Sequence, residues 1–192
     1  MKSTRLLTLV ALLASCLSAS AYDFMADGIA YDINDDKTTA SVTHTDLNGE
    51  NYPGLRVALI PDAVTCDGIT YTVTEIEPLA FAGCQKLEMV SISKSVRNIG
   101  ENAFGKCAPA HVFVFSTWPP QVSIYSFSDD CFRKALLHVP QGCYDIYTDN
   151  KSWSMFRNVT EMNPSIDADI NHDGEVDIKD LNIIINRILG QE

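Results

Sequence analysis

Two periodicities run through this chain. The shorter is the alternation of apolar and polar residues that a half-buried strand produces. It is plain at Ala30-Tyr31-Asp32-Ile33, which the turn Asn34-Asp35-Asp36-Lys37 follows. Residues 38–45, rich in Thr and Val, and residues 55–60, ended by Pro61-Asp62, are further strand candidates. Val64-Thr65-Cys66 and the β-branched run from Ile69 flank Asp67-Gly68, which predicts a hairpin with a two-residue type I′ turn.

The longer period is twenty-three residues: Val73, Ile76, Ala80, Phe81 and Cys84 recur in register as Val96, Ile99, Ala103, Phe104 and Cys107. A fixed period near this length predicts a solenoid, in which each coil buries its apolar face only against its neighbours. Leu87, Val90 and Ile92 predict a strand after Cys84, and Ala110, Phe113 and Phe115 occupy the same offsets after Cys107. A third, degenerate coil places Phe127 twenty-three residues after Phe104 and Cys131 one residue late. An inserted residue at Asp129-Asp130 then aligns Leu137 and Val139 with Phe113 and Phe115. Ala58, Ile60 and Val64 repeat the spacing of Val90, Ile92 and Val96 as an earlier half-coil.

Trp118-Pro119-Pro120 breaks the last coil, because proline cannot donate to a ladder. Tyr144 with Tyr147, then Trp153 with Phe156, predict short amphipathic turns that close the second end. We read these aromatics as cap packing in preference to a sugar platform. The fold class is therefore mainly β. Residues 22–72 form a β-rich N-terminal cap, residues 73–162 the repeat solenoid with its C-terminal cap, and residues 163–192 a small loop-helix segment.

The 192 residues suffice for one ordinary domain and a small appendage, and 46% of them are hydrophobic, enough for a packed core. The formal charge of −11 argues against nucleic acid, which needs a basic face to neutralise phosphates. Lys2 and Arg5 precede an apolar run over residues 6–14, too short to span a bilayer, and Ala19-Ser20-Ala21 supplies a small-x-small cleavage pattern. Residues 1–21 are expected to be a signal peptide, placing the protein outside the cell or on its surface. Leu13-Ala14-Ser15-Cys16 is the alternative, a lipobox that would make Cys16 a lipidated N-terminus. No later stretch is long and apolar enough for a transmembrane helix. Five cysteines remain: Cys66, Cys84, Cys107, Cys131 and Cys143. The odd count leaves at least one thiol unpaired. Cys84 and Cys107 read as small apolar fillers, although a bond between stacked coils stays open.

The spacing Ile-x-x-x-Ala-Phe-x-x-Cys-x-x-Leu followed by a short strand resembles the BspA-type leucine-rich repeats of bacterial surface proteins. Further landmarks extend the resemblance over residues 22–162. Tyr22-Asp23-Phe24 with Asp27-Gly28-Ile29-Ala30-Tyr31 is similar to the start of such proteins in Bacteroides and Prevotella relatives. Thr117-Trp118-Pro119-Pro120 is similar to their break before the last coil, and Leu137-His138-Val139-Pro140 with Tyr147, Trp153 and Phe156 to their closing segment. The resemblance implies a curved, mostly β solenoid with short helical turns after each Ala-Phe. It also implies a binding role, since the family includes adhesins.

The sharpest chemical motif lies beyond the repeats. Asp169, Asn171, Asp173, Asp177 and Asp180 fall at positions 1, 3, 5, 9 and 12 of a loop with Gly174 at position 6. Glu175 at position 7 offers its backbone carbonyl, and Val176 at position 8 points inward. Calcium takes six to eight hard oxygens at this spacing. Leu181, Ile184, Ile185 and Ile188 follow at i, i+3, i+4 and i+7, one apolar helix face, with Gly190 as C-cap. Loop and exit helix together resemble one dockerin repeat, in which Asp at position 12 is normal. That resemblance implies a cohesin-like partner through the apolar face. Positions 10 and 11, often Ser-Thr in cellulosomal dockerins, are Ile178 and Lys179 here. His172 at position 4 is not a ligand.

No catalytic signature is present: no Gly-x-Ser-x-Gly, no His-Glu-x-x-His, no phosphate loop and no dinucleotide fingerprint. His44, His111, His138 and His172 are scattered. Asp129-Asp130 supplies two carboxylates without any sign of the cleft a glycosidase requires. The sequence points to an exported, non-catalytic binding, adhesion or scaffold protein, whose solenoid recognises a protein or glycan and whose calcium-ordered tail tethers or assembles. The alternative makes the tail the principal part, a dockerin-type module linked by association to extracellular polysaccharide breakdown.

Overall fold

The computed structural model describes residues 21–46, 51–162, 180 and 183. Strands β1 (Phe24–Ala26), β2 (Ile29–Ile33) and β3 (Thr39–Val42) form an antiparallel meander. After β4 (Val57–Ile60), β5 (Ala63–Cys66) and β6 (Ile69–Ile76) make the predicted hairpin. Asp67 and Gly68 have φ of +50° and +79°, the left-handed pair a type I′ turn needs. The coils follow as β7 (Met89–Ile92), β8 (Asn98–Ile99), β9 (His111–Val114) and β10 (Gln121–Val122). Helix α1 (Asp129–Lys134), β11 (Leu136–Val139), α2 (Tyr144–Thr148), a 3-10 turn (Trp153–Met155) and β12 (Asn158–Glu161) complete the described chain.

The strands sort into two sheets. The first runs β1-β2-β3-β6-β8-β10, with β5 also on β6. The second runs β12-β11-β9-β7-β4 and is parallel throughout. Parallel pairing follows from winding, because each coil re-enters a sheet one strand further along in the same direction. β3 joins β6 in parallel, with Val42 opposite Ile76, so the N-terminal meander continues the solenoid's own sheet. Ile76, Ile99 and Val122 then stack as one column.

A column of rings fills the space between the sheets. Phe81 and Phe104 stack with centroids 5.2 Å apart, and Phe104 and Phe127 with centroids 4.9 Å apart. Tyr52 caps one end of the column at 5.1 Å from Phe81, and Phe156 meets Phe127 edge-on at 5.2 Å at the other. Each Phe is nearly or fully buried, and truncating one to Ala costs about 3–5 kcal/mol in cores of this kind. Tyr52 stands in for Phe in the incomplete first coil. Its hydroxyl accepts from the Ala30 N–H at 3.2 Å and donates to the Thr43 carbonyl, which ties the meander to the column. Asn51 beside it accepts from the Thr45 and Asp46 N–H groups and donates to the Leu79 carbonyl.

Two expectations are corrected. The strand register slips by one between the good coils: Val90 and Ile92 pair with Val112 and Val114, and not with Phe113 and Phe115. Leu137 accordingly lies opposite Val112, and His138 opposite Phe113. Val112, Val114, Leu137 and Val139 are the buried set, while Phe113 and Phe115 are only half-buried. The cause is one residue fewer between Cys107 and the strand than between Cys84 and its strand. The helical turns expected after each Ala-Phe are also absent from the first two coils. There the chain forms successive three-residue turns, such as Ala82 N–H to the Leu79 carbonyl. The Phe81 N–H goes instead to the Ala103 carbonyl of the next coil at 2.7 Å, so it is not available to a helix. The third coil, displaced by its extra residue, does form α1. Ser128 caps it by accepting from the Cys131 N–H, and Asp129, Asp130, Arg133 and Lys134 complement its dipole.

The closing segment packs as expected. Tyr147 and Trp153 are fully buried. The Tyr147 hydroxyl donates to the Ser116 carbonyl at 2.7 Å and the Trp153 indole N–H to the Pro120 carbonyl at 2.8 Å. The aromatics thus satisfy carbonyls on either side of the proline break. Tyr144 stays exposed.

Candidate recognition surface

Recognition needs side chains that the core does not consume, and strand parity sets which these are. On the second sheet the inward rows are Ala58, Val90, Val112, Leu137 and Ile60, Ile92, Val114, Val139. The outward row Leu59, Ser91, Phe113, His138 and Thr160 crosses all five strands. Phe113 and His138 stack with ring centroids 3.9 Å apart, and His111 Nδ1 lies 3.0 Å from His138 Nε2. Burial, and secondarily His111, push the His138 imidazole down to about 4. It is a neutral ring packed on a neighbour.

A second surface lies at the proline break. Arg97 and Trp118 both line two grooves, of about 540 Å³ and 320 Å³. Asp62, Lys94 and Phe115 are among the other residues lining the larger groove, and Asn98, Pro119 and Pro120 among those lining the smaller. Trp118 is 72% exposed, the most exposed large hydrophobic among the described residues. Local structure explains this. Ser116 Oγ donates to the Trp118 carbonyl at 2.6 Å, and the two prolines fix the following backbone. The Arg97 N–H is bonded to the Thr74 carbonyl and its carbonyl to the Gln121 N–H, so the guanidinium springs from a ladder-fixed backbone. Sequence reasoning did not single out this pair. The available signal was a tryptophan directly before two prolines, where no strand or helix can turn it inward.

Of the calcium residues, Asp169, Asn171, Asp173, Glu175 and Asp177 lie outside the described residues, as do Leu181, Ile184, Ile185 and Ile188. Asp180 is described: it is helical and 2% exposed. The donor set fits calcium chemically, being all oxygen, with the last carboxylate withdrawn from water. Among the described residues no group of three or more His, Cys, Asp or Glu is arranged to hold a metal. The signal peptide and Cys16 also lie outside the described residues. No two of the five described cysteines are joined by a disulfide. Asp130, one of the two imagined glycosidase carboxylates, pairs with Arg133 at 2.6 Å and Lys134 at 3.1 Å, and Arg133 foremost holds its carboxyl below the usual range. It is a helix ion pair. No helix among the described residues is long and apolar enough to cross a membrane.

Residues 68–159 match the family described as BspA type leucine rich repeat region, a little under half of the chain. A leucine-rich repeat protein from Bacteroides ovatus ATCC 8483 is similar in structure, with 28% identity and a TM-score of 0.44 over 62% of this chain and 31% of that one. A leucine rich cell surface protein from Faecalibacterium prausnitzii A2-165 is similar with 20% identity and a TM-score of 0.38 over 72% of this chain and 31% of that one. The chain spans about a third of each. No curated protein matches it significantly.

Proposed function

We propose that this is an exported, non-catalytic recognition protein whose repeat region presents the Trp118–Arg97 grooves to a glycan or protein outside the cell. The observation that carries the reading is Trp118, held exposed beside a cation on a rigid stack. An exposed indole offers a face for a sugar ring or an apolar side chain, and Arg97 beside it attracts a carboxylate. Trp and Arg are enriched among the few residues that carry most of the binding energy at protein interfaces. Export is supported by the signal-like residues 1–21. Residues 22–72 act as the N-terminal cap, 73–162 as the recognition unit and 163–192 as the calcium-ordered tail.

Binding of candidate polysaccharides and extracellular proteins to wild type, Trp118→Ala and Arg97→Ala tests the groove. Each variant is expected to weaken binding about tenfold or more, with melting unchanged. Equal binding by all three proteins would refute the groove as the site.

A second reading gives the tail its own role, as a dockerin-like assembly module with a cohesin-like partner. The oxygen-only donor set from Asp169 to Asp180 favours it. Bound calcium would neutralise the clustered carboxylates and stabilise the folded loop, because an ion that binds only the folded state raises its stability. Calorimetry with calcium and then chelator is expected to show a calcium-dependent rise in melting that Asp169→Ala removes. Identical melting in all cases would sink the metal assignment.

A further inference from the structure

The grooves at the proline break carry the opposite sign of charge to the chain as a whole, whose formal charge is −11. Among the described residues, the larger is lined by two cations, Lys94 and Arg97, against one carboxylate, Asp62. The smaller is lined by Arg97 and no carboxylate. Asp62 is already engaged within the fold, where its Oδ1 accepts from the Ser95 N–H at 3.1 Å. Arg97 is different. Arg56 and Arg133 each hold a carboxylate, on Glu88 and Asp130. Among the described residues no carboxylate pairs with the Arg97 guanidinium. An unpaired guanidinium presents a planar fork of donors that a carboxylate fills with two parallel hydrogen bonds.

Trp118 decides what carries that carboxylate. The centre of a protein–protein hot spot is close-packed and dry, and it is poor in Ser and Thr. Trp118 is 72% exposed, a platform in an open groove. Its neighbours are hydroxyls and amides: Ser95, Ser116 and Thr117 in the larger groove, Asn98 and Gln121 in the smaller. A pyranose ring suits such a surface. Its C–H face stacks on the indole, while its hydroxyls stay wet or pair with the surrounding side chains. The volumes of about 540 Å³ and 320 Å³ are on the scale of small-ligand sites, about 300–1,000 Å³.

We propose that the ligand of these grooves is an acidic polysaccharide, with a uronate ring stacked on Trp118 and its carboxylate held by Arg97. This rests on the reading of the grooves as the recognition site and names the class of ligand they take. The net charge sharpens the assignment. An anionic chain repels a polyanion at long range, so binding must come from the local cations and not from diffuse attraction.

The test uses the full chain in the presence of a chelator, so that calcium cannot bridge polymer carboxylates to those of the tail. Polygalacturonate, alginate and hyaluronate are titrated by calorimetry into wild type, Arg97→Gln and Trp118→Ala. Each polymer is run beside its own carboxyl-reduced form, which keeps the sugar rings and loses the charge. At least one polyuronate is expected to bind wild type about tenfold or more tighter than its reduced form. Arg97→Gln is expected to remove most of that difference. Trp118→Ala is expected to weaken both forms, by about tenfold or more. Thermal melts check that both variants fold. Failure of every polyuronate to bind would overturn the proposal, and so would equal affinity for a polymer and its reduced form. Trp118-dependent binding of a neutral glycan or of an extracellular protein in their place would overturn the ligand class and leave the grooves as the site. A polyuronate that binds all three proteins equally is held elsewhere on the chain, which would refute the grooves themselves.

Discussion

The Phe113 ring lies face to face with the His138 imidazole, 3.9 Å between centroids and 7° from parallel, on adjoining strands of the second sheet. A protonated imidazole in that position loses hydration and faces His111 across 3.0 Å. Burial, then His111, therefore depress its pKa to about 4 from an ordinary value near 6.5. Between these values the unfolded chain binds a proton that the folded chain does not. Stability contributed by the neutral ring is complete above about pH 6.5 and is lost as pH falls towards 4. After allowance for solvent screening, the loss is about 1–2 kcal/mol. Urea midpoints measured from pH 7 down to pH 4.5 are expected to fall in wild type. In His138→Phe, which keeps the stack, that component of the slope is expected to vanish. An unchanged slope would show that His138 is hydrated.

Gly100 lies where the second coil crosses the first. A Cβ built there meets the Pro78 nitrogen at 2.3 Å and the Glu77 carbonyl carbon at 2.7 Å. Both are backbone atoms, and the Gly100 N–H is bonded to the Ile76 carbonyl at 2.8 Å, so neither side yields cheaply. Gly100→Ala is expected to destabilise by about 1–3 kcal/mol or more, lowering Tm by several degrees. Gly105→Ala, whose Cβ meets Asn102 at 3.1 Å at closest, is expected to lower it less. Thermal melts of the two variants compare them directly.

Cys84, Cys107 and Cys131 occupy successive coils in the core. Burial, reinforced by the neighbouring thiols, pushes Cys107 far above its ordinary pKa, and burial alone pushes Cys131 up to about 12. Thiolate is the reactive form, so these groups are inert in the folded chain. Iodoacetamide at pH 8 followed by mass spectrometry is expected to modify half-buried Cys66 and to spare Cys84, Cys107, Cys131 and Cys143 until denaturant is added. Rapid labelling of Cys107 in the native protein would contradict the packing described.

The repeat was legible because its Ala-Phe-x-x-Cys spacing is set by local geometry that every good coil shares. The incomplete first coil was only half legible. Ala58 and Ile60 do pair with Val90 and Ile92 as their spacing suggested. Tyr52, which continues the Phe column, sits twenty-nine residues before Phe81, outside the twenty-three-residue period. Nothing local marks it as part of the stack.

The run His111-Val112-Phe113-Val114-Phe115 shows the limit most clearly. Its two interleaved sets, valines and phenylalanines, are both apolar, so alternation alone does not say which faces inward. The ladder to β7 decides for the valines. The column of Phe81, Phe104 and Phe127 already occupies the space between the sheets, and the displaced phenylalanines become surface. The exposure of Trp118 and the burial of Ser91 belong to the same category. By itself the sequence determined the coil, its buried Ala, Phe and Cys positions, the I′ hairpin and the closing aromatics, because each depends on neighbours a few residues away or on an exact repeat. The tertiary structure alone decided strand register, and with it which side chains are left for recognition. Register is a one-residue choice between two apolar faces, and only hydrogen bonds and packing between coils distinguish them.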